Sequence, residues 1–126
     1  MRTRPRVVTI SDHIDCPTGF GTQHRLVAMA LARAGFEVHS LGVWDARPLA
    51  TTREGVVRYP GGQGIEDHRE AWAMYRDLLR PDLVVSLGDF RTFAHLNDAV
   101  RDFAWCHWLP IDAAPYPVGD RERMIR

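Results

Sequence analysis

Short runs rich in β-branched residues alternate along this chain with longer segments whose apolar residues recur at helical spacing. The runs, which are typical of buried strands, are residues 6–12, 36–44, 56–59, 82–87 and 103–109. The segments between them predict helices over residues 22–34, 65–80 and 89 to about 101. Strands that alternate with helices need crossover connections, and these are right-handed. The alternation therefore predicts an α/β domain with a Rossmann-like parallel sheet of about five strands and helices on both faces.

Each predicted helix has an apolar face that should pack on the sheet. On the first helix this face is Leu26, Val27, Ala30, Leu31 and Ala34. On the second and third helices it is Ile65, Trp72, Tyr75 and Leu79, followed by Phe93, Leu96 and Val100. Gly35 follows the first helix, as expected where a helix ends in a left-handed residue.

Loops at the carboxyl ends of the strands are where function is expected, because open α/β sheets bind ligands there, at the point where the strand order reverses. The loops predicted at that edge are residues 12–21, 45–54, 60–64, 88–91 and 110–119. Residues 120–126 look like the start of another helix. We therefore expect the chain to be a truncated piece of a larger protein.

Composition excludes several classes of protein. The 126 residues suit one domain, and the formal net charge of zero gives no reason to expect a nucleic-acid partner. The 16 lysine and arginine residues are all arginine, which excludes a P-loop or Schiff-base lysine. Cys16 and Cys106 are too few for a disulfide framework. No apolar run approaches the roughly 20 residues of a membrane span, and we expect a cytoplasmic protein.

The stretch Thr-Gly-Phe-Gly-Thr-Gln, residues 18–23, lies between the first strand and the first helix. Glycines there let the backbone approach a ligand, and the amide groups of a helix start favour a phosphate. The dinucleotide fingerprint needs a third glycine where this chain has His24, although Asp45 could imitate the ribose-binding acid. The alternative is a tight turn that needs glycine and binds nothing.

Several segments together resemble the N-terminal half of glycosyltransferase family four. Residues 11–12 and the glycine stretch 18–23 resemble the family's first strand and glycine loop. Residues 31–38 resemble its passage from the first helix to the second strand, and residues 81–86 its fourth strand. Residues 108–112 resemble a proline–apolar–aspartate segment of some branches. The resemblance covers nearly the whole chain.

This resemblance implies a GT-B architecture, in which two Rossmann-like domains face each other across a cleft. Residues 1–126 would be the N-terminal, acceptor-side domain, and the C-terminal donor-binding domain would be absent. The whole enzyme would use a nucleotide-sugar as substrate and transfer a hexose to a saccharide, lipid or other hydroxyl acceptor, with retention and without a cofactor or metal. The chain alone is expected to be inactive. Phe20, Trp44 and Trp108 are candidates for a peripheral membrane contact.

The resemblance also implies roles for individual residues. The candidate catalytic residues are His107, near the transferred sugar, and Asp112, at the acceptor. The candidate contacts to the donor diphosphate are Gly19, Phe20, Gly21 and Thr22. The candidate acceptor contacts are Asp12, His13, Gln23 and Asp89. Structural roles compete with three of these: His107 as a core residue between two tryptophans, Asp112 as a loop cap, and Asp89 as a helix N-cap.

Two other interpretations stay open. A metal site could draw on His13, Asp15, Cys16, Cys106 and His107, but neighbouring strand residues point to opposite faces and the spacing matches no known zinc pattern. The chain could also be a stand-alone, non-catalytic Rossmann-like module that binds a nucleotide or a protein.

Overall fold

The structure is a computed structural model that describes residues 2–45, 51–88, 90–97 and 102–108. Within those ranges the strands are β1 (Arg6–Asp12), β2 (Glu37–Val43), β3 (Thr51–Arg53), β4 (Val56–Pro60), β5 (Leu83–Leu87) and β6 (Ala104–Trp108). They form one sheet in the order β3-β4-β2-β1-β5-β6. The five strands β4, β2, β1, β5 and β6 are parallel, which confirms the predicted α/β fold.

The short strand β3 was not predicted, and the expectation of an unbroken loop over residues 45–54 was wrong. β3 pairs antiparallel with β4 through a tight turn at Glu54 and Gly55, both of which have positive φ. Three residues are too few to show the alternation that marks a strand in a sequence. The strand exists because β4 offers an edge for it to pair with.

The helices are α1 (Gly19–Arg33), α2 (Ile65–Leu79) and the four-residue α3 (Phe90–Phe93), which passes into a 3₁₀ turn at Ala94–Asn97. The single long helix predicted from residue 89 to about 101 was therefore wrong in its length. Its predicted inward residues were nevertheless correct where they are described, because Phe93 is 3% and Leu96 is 2% exposed. Both side chains pack into the larger core cluster.

Helices cover both faces of the sheet, as predicted. Against one face, α1 closes a small cluster of Ile14, Ala28, Met29, Val38 and Val56. Against the other, α2, α3 and the 3₁₀ turn close a larger cluster of Val8, Ile10, Leu41, Val43, Trp72, Leu79, Val84, Phe93, Leu96 and Phe103. Trp72 and Leu79 lie on the predicted face of α2, and Tyr75 packs against the same cluster. The side chain of Ile65 and all of Val100 lie outside the described residues.

The predicted inward face of α1 was wrong in part. The buried residues of this helix are Gly21, His24, Ala28 and Met29. Of the predicted face, Leu26 is 61% exposed and Ala30 and Ala34 are also exposed, whereas Val27 is half-buried and Leu31 packs against the smaller cluster. The helix begins three residues earlier than predicted, and the His24 side chain ties it to β1. The predicted face and the observed face both have helical spacing, and only the packing of the helix on the sheet selects one of them.

The strand order places a crevice at the carboxyl end of β1. From β1 the chain continues to β2 and β4 on one side, and it then returns to β5 and β6 on the other. β1 and β5 are adjacent, and the Ser11 hydroxyl donates to the Leu87 carbonyl at 2.8 Å across their ends. The reversal between β1 and β5 is the switch point at which open α/β sheets bind ligands.

None of the described helices has both the length and the apolar character needed to cross a lipid bilayer.

Candidate functional site

A cleft of about 280 Å³ lies at this switch point. Its described lining comes from the ends of β1, β2 and β5 and the starts of α1 and α3, namely Asp12, Phe20, Val43, Trp44, Leu87, Gly88, Thr92 and Phe93. A larger, open hollow of about 920 Å³ lies at the opposite end of the sheet, beside residues 2–5 and Asp82. None of the predicted site residues lines that hollow, so the cleft at the switch point is the candidate site.

Asp12 ends β1 and faces both the cleft and the start of α1. The Thr18 hydroxyl donates to Asp12 Oδ2 at 2.6 Å, and the same hydroxyl accepts from the Gly21 amide at 3.0 Å. Thr18 is thus the N-cap of α1. The carboxylate lies one hydrogen bond from the helix N-terminus, where a negative charge is stabilised by the helix dipole. Asp12 therefore already supplies the charge that a phosphate would bring to this position.

The two glycines of the stretch differ in their surroundings. Both lie in the first turn of α1 and not in a preceding loop, which corrects the predicted start of the helix. A Cβ on Gly21 would lie 2.3 Å from the Cys16 carbonyl oxygen and 2.9 Å from the Cys16 Cβ. A Cβ on Gly19 would meet nothing within 4 Å. Gly21 is therefore required by packing, whereas Gly19 borders open space.

The remaining predicted contacts on α1 and in the loop before it separate into two groups. Phe20 lines the cleft and is 36% exposed. Thr22 and Gln23 are exposed on α1 but are not among the described lining residues. His13 donates its backbone amide to the Val43 carbonyl at 3.0 Å, and it packs so closely on Gly42 that a Cβ there would lie 2.3 Å from the His13 Cβ.

His107 lies near the end of β6 and is half-buried, and the Phe93 ring lies between it and the cleft. Its Nδ1 is 2.6 Å from the Ser86 hydroxyl, which also accepts from Trp105 Nε1 at 2.8 Å. Its ring centroid is 5.8 Å from that of Phe93, and Phe93 lines the cleft. This arrangement holds the imidazole in one orientation on the sheet face that α2 and α3 cover. Asp112 and Asp89 lie outside the described residues.

His24, which replaces the third glycine of the dinucleotide fingerprint, is a structural residue that the sequence did not reveal. It is fully buried, its Nδ1 donates to the Asp12 carbonyl at 2.8 Å, and the Thr9 hydroxyl donates to its Nε2 at 2.7 Å. Burial lowers the pKa of His24 to about 4. A neutral imidazole therefore ties α1 to β1 directly behind the candidate site. The feature of the sequence that could have indicated this role is the position of His24, because the third glycine of the fingerprint lies where helix and strand pack most closely.

Trp44 and Asp45 follow β2, where a Rossmann domain often carries its ribose-binding acid. The Asp45 carboxylate contacts the Arg58 guanidinium, and the two side chains are only 1% and 3% exposed. Asp45 is thus committed to a buried ion pair, and the idea that it imitates the ribose-binding acid was wrong. Trp44 instead lines the cleft, with 54% of its surface exposed and with a left-handed φ of 64°. A bulky residue rarely adopts this conformation.

The conformation of Trp44 leads to a prediction about stability. Replacing Trp44 by Asn or by Ala removes the same indole contacts, but Asn tolerates a left-handed φ better than Ala does. We expect Trp44→Asn to have a free energy of unfolding about 1 kcal/mol higher than Trp44→Ala. Urea unfolding of the two variants measures this difference. Equal stabilities would show that the backbone here is not constrained to the left-handed region.

A second group of aromatic and imidazole rings lies between α2 and the 3₁₀ turn. His68 is fully buried, and neither of its ring nitrogens has a hydrogen-bond partner within the described part of the chain. Its ring packs edge-on against Phe93 at 5.5 Å and against His95 at 5.3 Å. Burial, followed by the nearby His95 and Arg69, lowers the pKa of His68 to about 4. Across the described ranges, no three His, Cys, Asp or Glu side chains converge as a metal site would require.

The chemistry of the cleft is the basis on which its function can be assigned. Its described lining includes one acidic residue, one threonine and three aromatic residues, and no cationic residue is among the described lining residues. Both cysteines are free thiols, Cys16 half-buried and Cys106 exposed on β6.

No family model matches the chain, and neither does any curated protein or any solved structure.

Proposed function

We propose that this chain is the acceptor-side, Rossmann-like domain of a nucleotide-sugar-dependent glycosyltransferase with GT-B architecture. The enzyme would transfer a hexose to a hydroxyl group of its acceptor, with retention of configuration. The observation that carries the proposal is the cleft at the switch point, which combines the carboxylate of Asp12 with apolar walls. Ligand sites commonly have this composition, in which a few polar groups set orientation and apolar surface supplies the contact area.

The acceptor role of the cleft is supported by the surroundings of Asp12. One carboxylate oxygen accepts from Thr18, so the side chain is held in place, and its other oxygen can accept from an acceptor hydroxyl. A carboxylate at this position repels a phosphate that approaches the start of α1. We therefore propose that this cleft takes the acceptor.

His107 enters the proposal as the group nearest the transferred sugar, and Asp112 as the group that orients the acceptor hydroxyl. Because the Ser86 hydroxyl engages His107 Nδ1, the sugar would be contacted by Nε2. Phe93 packs against this ring and lines the cleft, so Phe93 would have to shift for that contact to form. A hydrogen bond from the imidazole would stabilise a sugar hydroxyl as charge develops in the transition state.

The test is transfer and hydrolysis with a panel of nucleotide-sugars, comparing this chain with the full-length product of its gene. We expect turnover only with the full-length product, and we expect His107→Ala to lower kcat about 100-fold. His39→Gln is the matched control, since His39 lies on β2 and contacts Glu37 and Tyr59 far from the cleft. An absence of turnover with every donor, or equal losses in the two variants, would refute the proposal.

A second candidate function is a non-catalytic Rossmann-like module that binds a nucleotide or a protein. It is favoured by the internal cap of α1, in which Thr18 and Asp12 complete the helix start without any ligand. A glycine stretch that is explained by packing at Gly21 does not need a diphosphate. A gene that ends at residue 126, together with no turnover of any donor, would favour this second candidate.

A further inference from the structure

Two exposed aromatic side chains meet at the candidate cleft. Within the described residues the large apolar side chains that remain exposed are Phe20, Leu26, Trp44, Met74, Leu78 and Trp108. Of these six, only Phe20 and Trp44 line the cleft. They reach it from different elements, Phe20 from the first turn of α1 and Trp44 from the end of β2. Two aromatic side chains that line one cleft offer flat apolar faces to a ring-shaped ligand.

The polar groups of the cleft favour a neutral ligand that donates hydrogen bonds. Asp12 contributes a carboxylate that only accepts, and Thr92 contributes a hydroxyl from α3. Asp12 opposes an anionic ligand, and a purely apolar ligand would bury the carboxylate without compensation. A ligand with several hydroxyl groups satisfies Asp12 and leaves its own C–H surface for the aromatic walls.

We infer that Trp44, Phe20 and Asp12 form a subsite for one pyranose ring of a neutral saccharide. The indole of Trp44 stacks on the C–H face of the sugar, Phe20 adds a second aromatic contact, and a sugar hydroxyl donates to Asp12. The volume of about 280 Å³ is close to the lower limit of typical ligand cavities, roughly 300–1,000 Å³, and suits a single ring. This inference deepens the proposed function by naming a saccharide as the acceptor. Only the statement that the bound sugar is an acceptor rests on the proposed function.

The left-handed backbone of Trp44 supports this assignment. Its φ of 64° turns the chain so that the following residue, Asp45, is buried while Trp44 remains 54% exposed. Unfavourable conformations of this kind tend to persist at functional sites, where the surrounding structure holds them. The buried pair of Asp45 and Arg58 is that surrounding structure, because it anchors the residue directly after Trp44.

The experiment is direct binding of small probes to this chain, measured by calorimetry and by protection of tryptophan fluorescence from acrylamide. The probes are the methyl pyranosides of glucose, mannose and galactose, with uridine and UMP for comparison. We expect at least one pyranoside to bind with a Kd of about 1–10 mM, as a single small ring should. We expect Trp44→Ala to weaken that binding about fivefold and Asp12→Asn to weaken it about tenfold.

Trp108→Ala is the matched control, because Trp108 is 53% exposed and lies on β6 outside the described lining of the cleft. It should leave the affinity unchanged. Trp44→Phe keeps an aromatic face and should bind within about threefold of the unaltered chain, which separates stacking from a loss of fold. Circular dichroism and urea unfolding check that each variant is folded.

Three results would overturn the inference: no pyranoside binding, equal losses in Trp44→Ala and Trp108→Ala, or binding of uridine or UMP in preference to every pyranoside. The proposed function fails separately. If a pyranoside binds through Trp44 but the full-length product turns over no nucleotide-sugar, the saccharide subsite is supported and the glycosyltransferase function is refuted. If turnover occurs but no pyranoside binds, the glycosyltransferase function is supported and its acceptor belongs to another chemical class.

Discussion

Gly21→Ala is expected to lower the free energy of unfolding by about 3 kcal/mol, whereas Gly19→Ala should leave it unchanged or raise it by about 0.5 kcal/mol. The added methyl group at Gly21 would lie 2.3 Å from the Cys16 carbonyl oxygen and 3.0 Å from the carbonyl carbon. These are backbone atoms, so the loop before α1 or the helix itself must move. At Gly19 the methyl group meets nothing within 4 Å and favours the helical turn.

Urea unfolding of the two variants measures this contrast, and each serves as the control for the other because both change glycine to alanine in the same helical turn. Similar losses in both would contradict the close approach of α1 to the loop at Cys16. Binding measurements add a second readout, because Gly19→Ala adds a methyl group that meets nothing within 4 Å. A loss of donor affinity in Gly19→Ala, with full stability, would support a diphosphate beside Gly19.

Acidification is expected to destabilise the fold by about 3 kcal/mol for each of two buried histidines, His24 and His68. Each has a pKa of about 4 in the folded chain against an ordinary value of 6.5. Because the folded pKa is the lower one, the unfolded chain takes up these protons first as the pH falls. Stability is therefore complete above pH 6.5, declines between pH 6.5 and pH 4, and is not changed further by these groups below pH 4.

Burial sets this window for both imidazoles, and the groups that face them change it less. Burial lowers the pKa of His24 by more than its hydrogen bonds at Asp12 and Thr9 and the Asp12 carboxylate raise it, and the nearby His13 lowers it further. His68 is close to His95 and Arg69, which both oppose protonation. Small domains are stable by about 5–15 kcal/mol, so a loss of this size brings a typical domain near unfolding at pH 4.

His68→Leu tests the contribution of the second histidine. The substitution removes a buried imidazole whose nitrogens have no partner among the described residues, so it should raise the stability at pH 7 by about 1 kcal/mol. It should also remove about half of the loss between pH 6.5 and pH 4, measured by urea unfolding across that range. An unchanged pH dependence in His68→Leu would show that this imidazole is protonated equally in the folded and unfolded chains.

The candidate site combines residues that the sequence singled out with residues that it did not. Asp12 and Phe20 were predicted at this edge, and both line the cleft. Trp44 was predicted only as a candidate membrane contact, and Asp45 beside it was noted only as a residue that could imitate a ribose-binding acid. The burial of Asp45 depends on Arg58, which lies on β4 and pairs with it in the interior. No spacing within residues 44–45 carries that information.

β3 and the short α3 cannot be read from the sequence, whereas it does predict the five parallel strands, helices α1 and α2, and the sheet edge at which a ligand is expected. These features follow from periodicity, which each segment carries locally, and from the handedness of the connections between strands. Which residues of α1 are buried depends on the folded chain, since Gly21 packs on Cys16 and Ala28 lies in the smaller cluster while Leu26 stays in solvent. The tertiary structure also decided that His24 bonds to β1, that Asp45 is enclosed and that Trp44 faces the cleft. Each of these depends on contacts between residues distant in sequence, because packing selects among side chains that are locally equivalent.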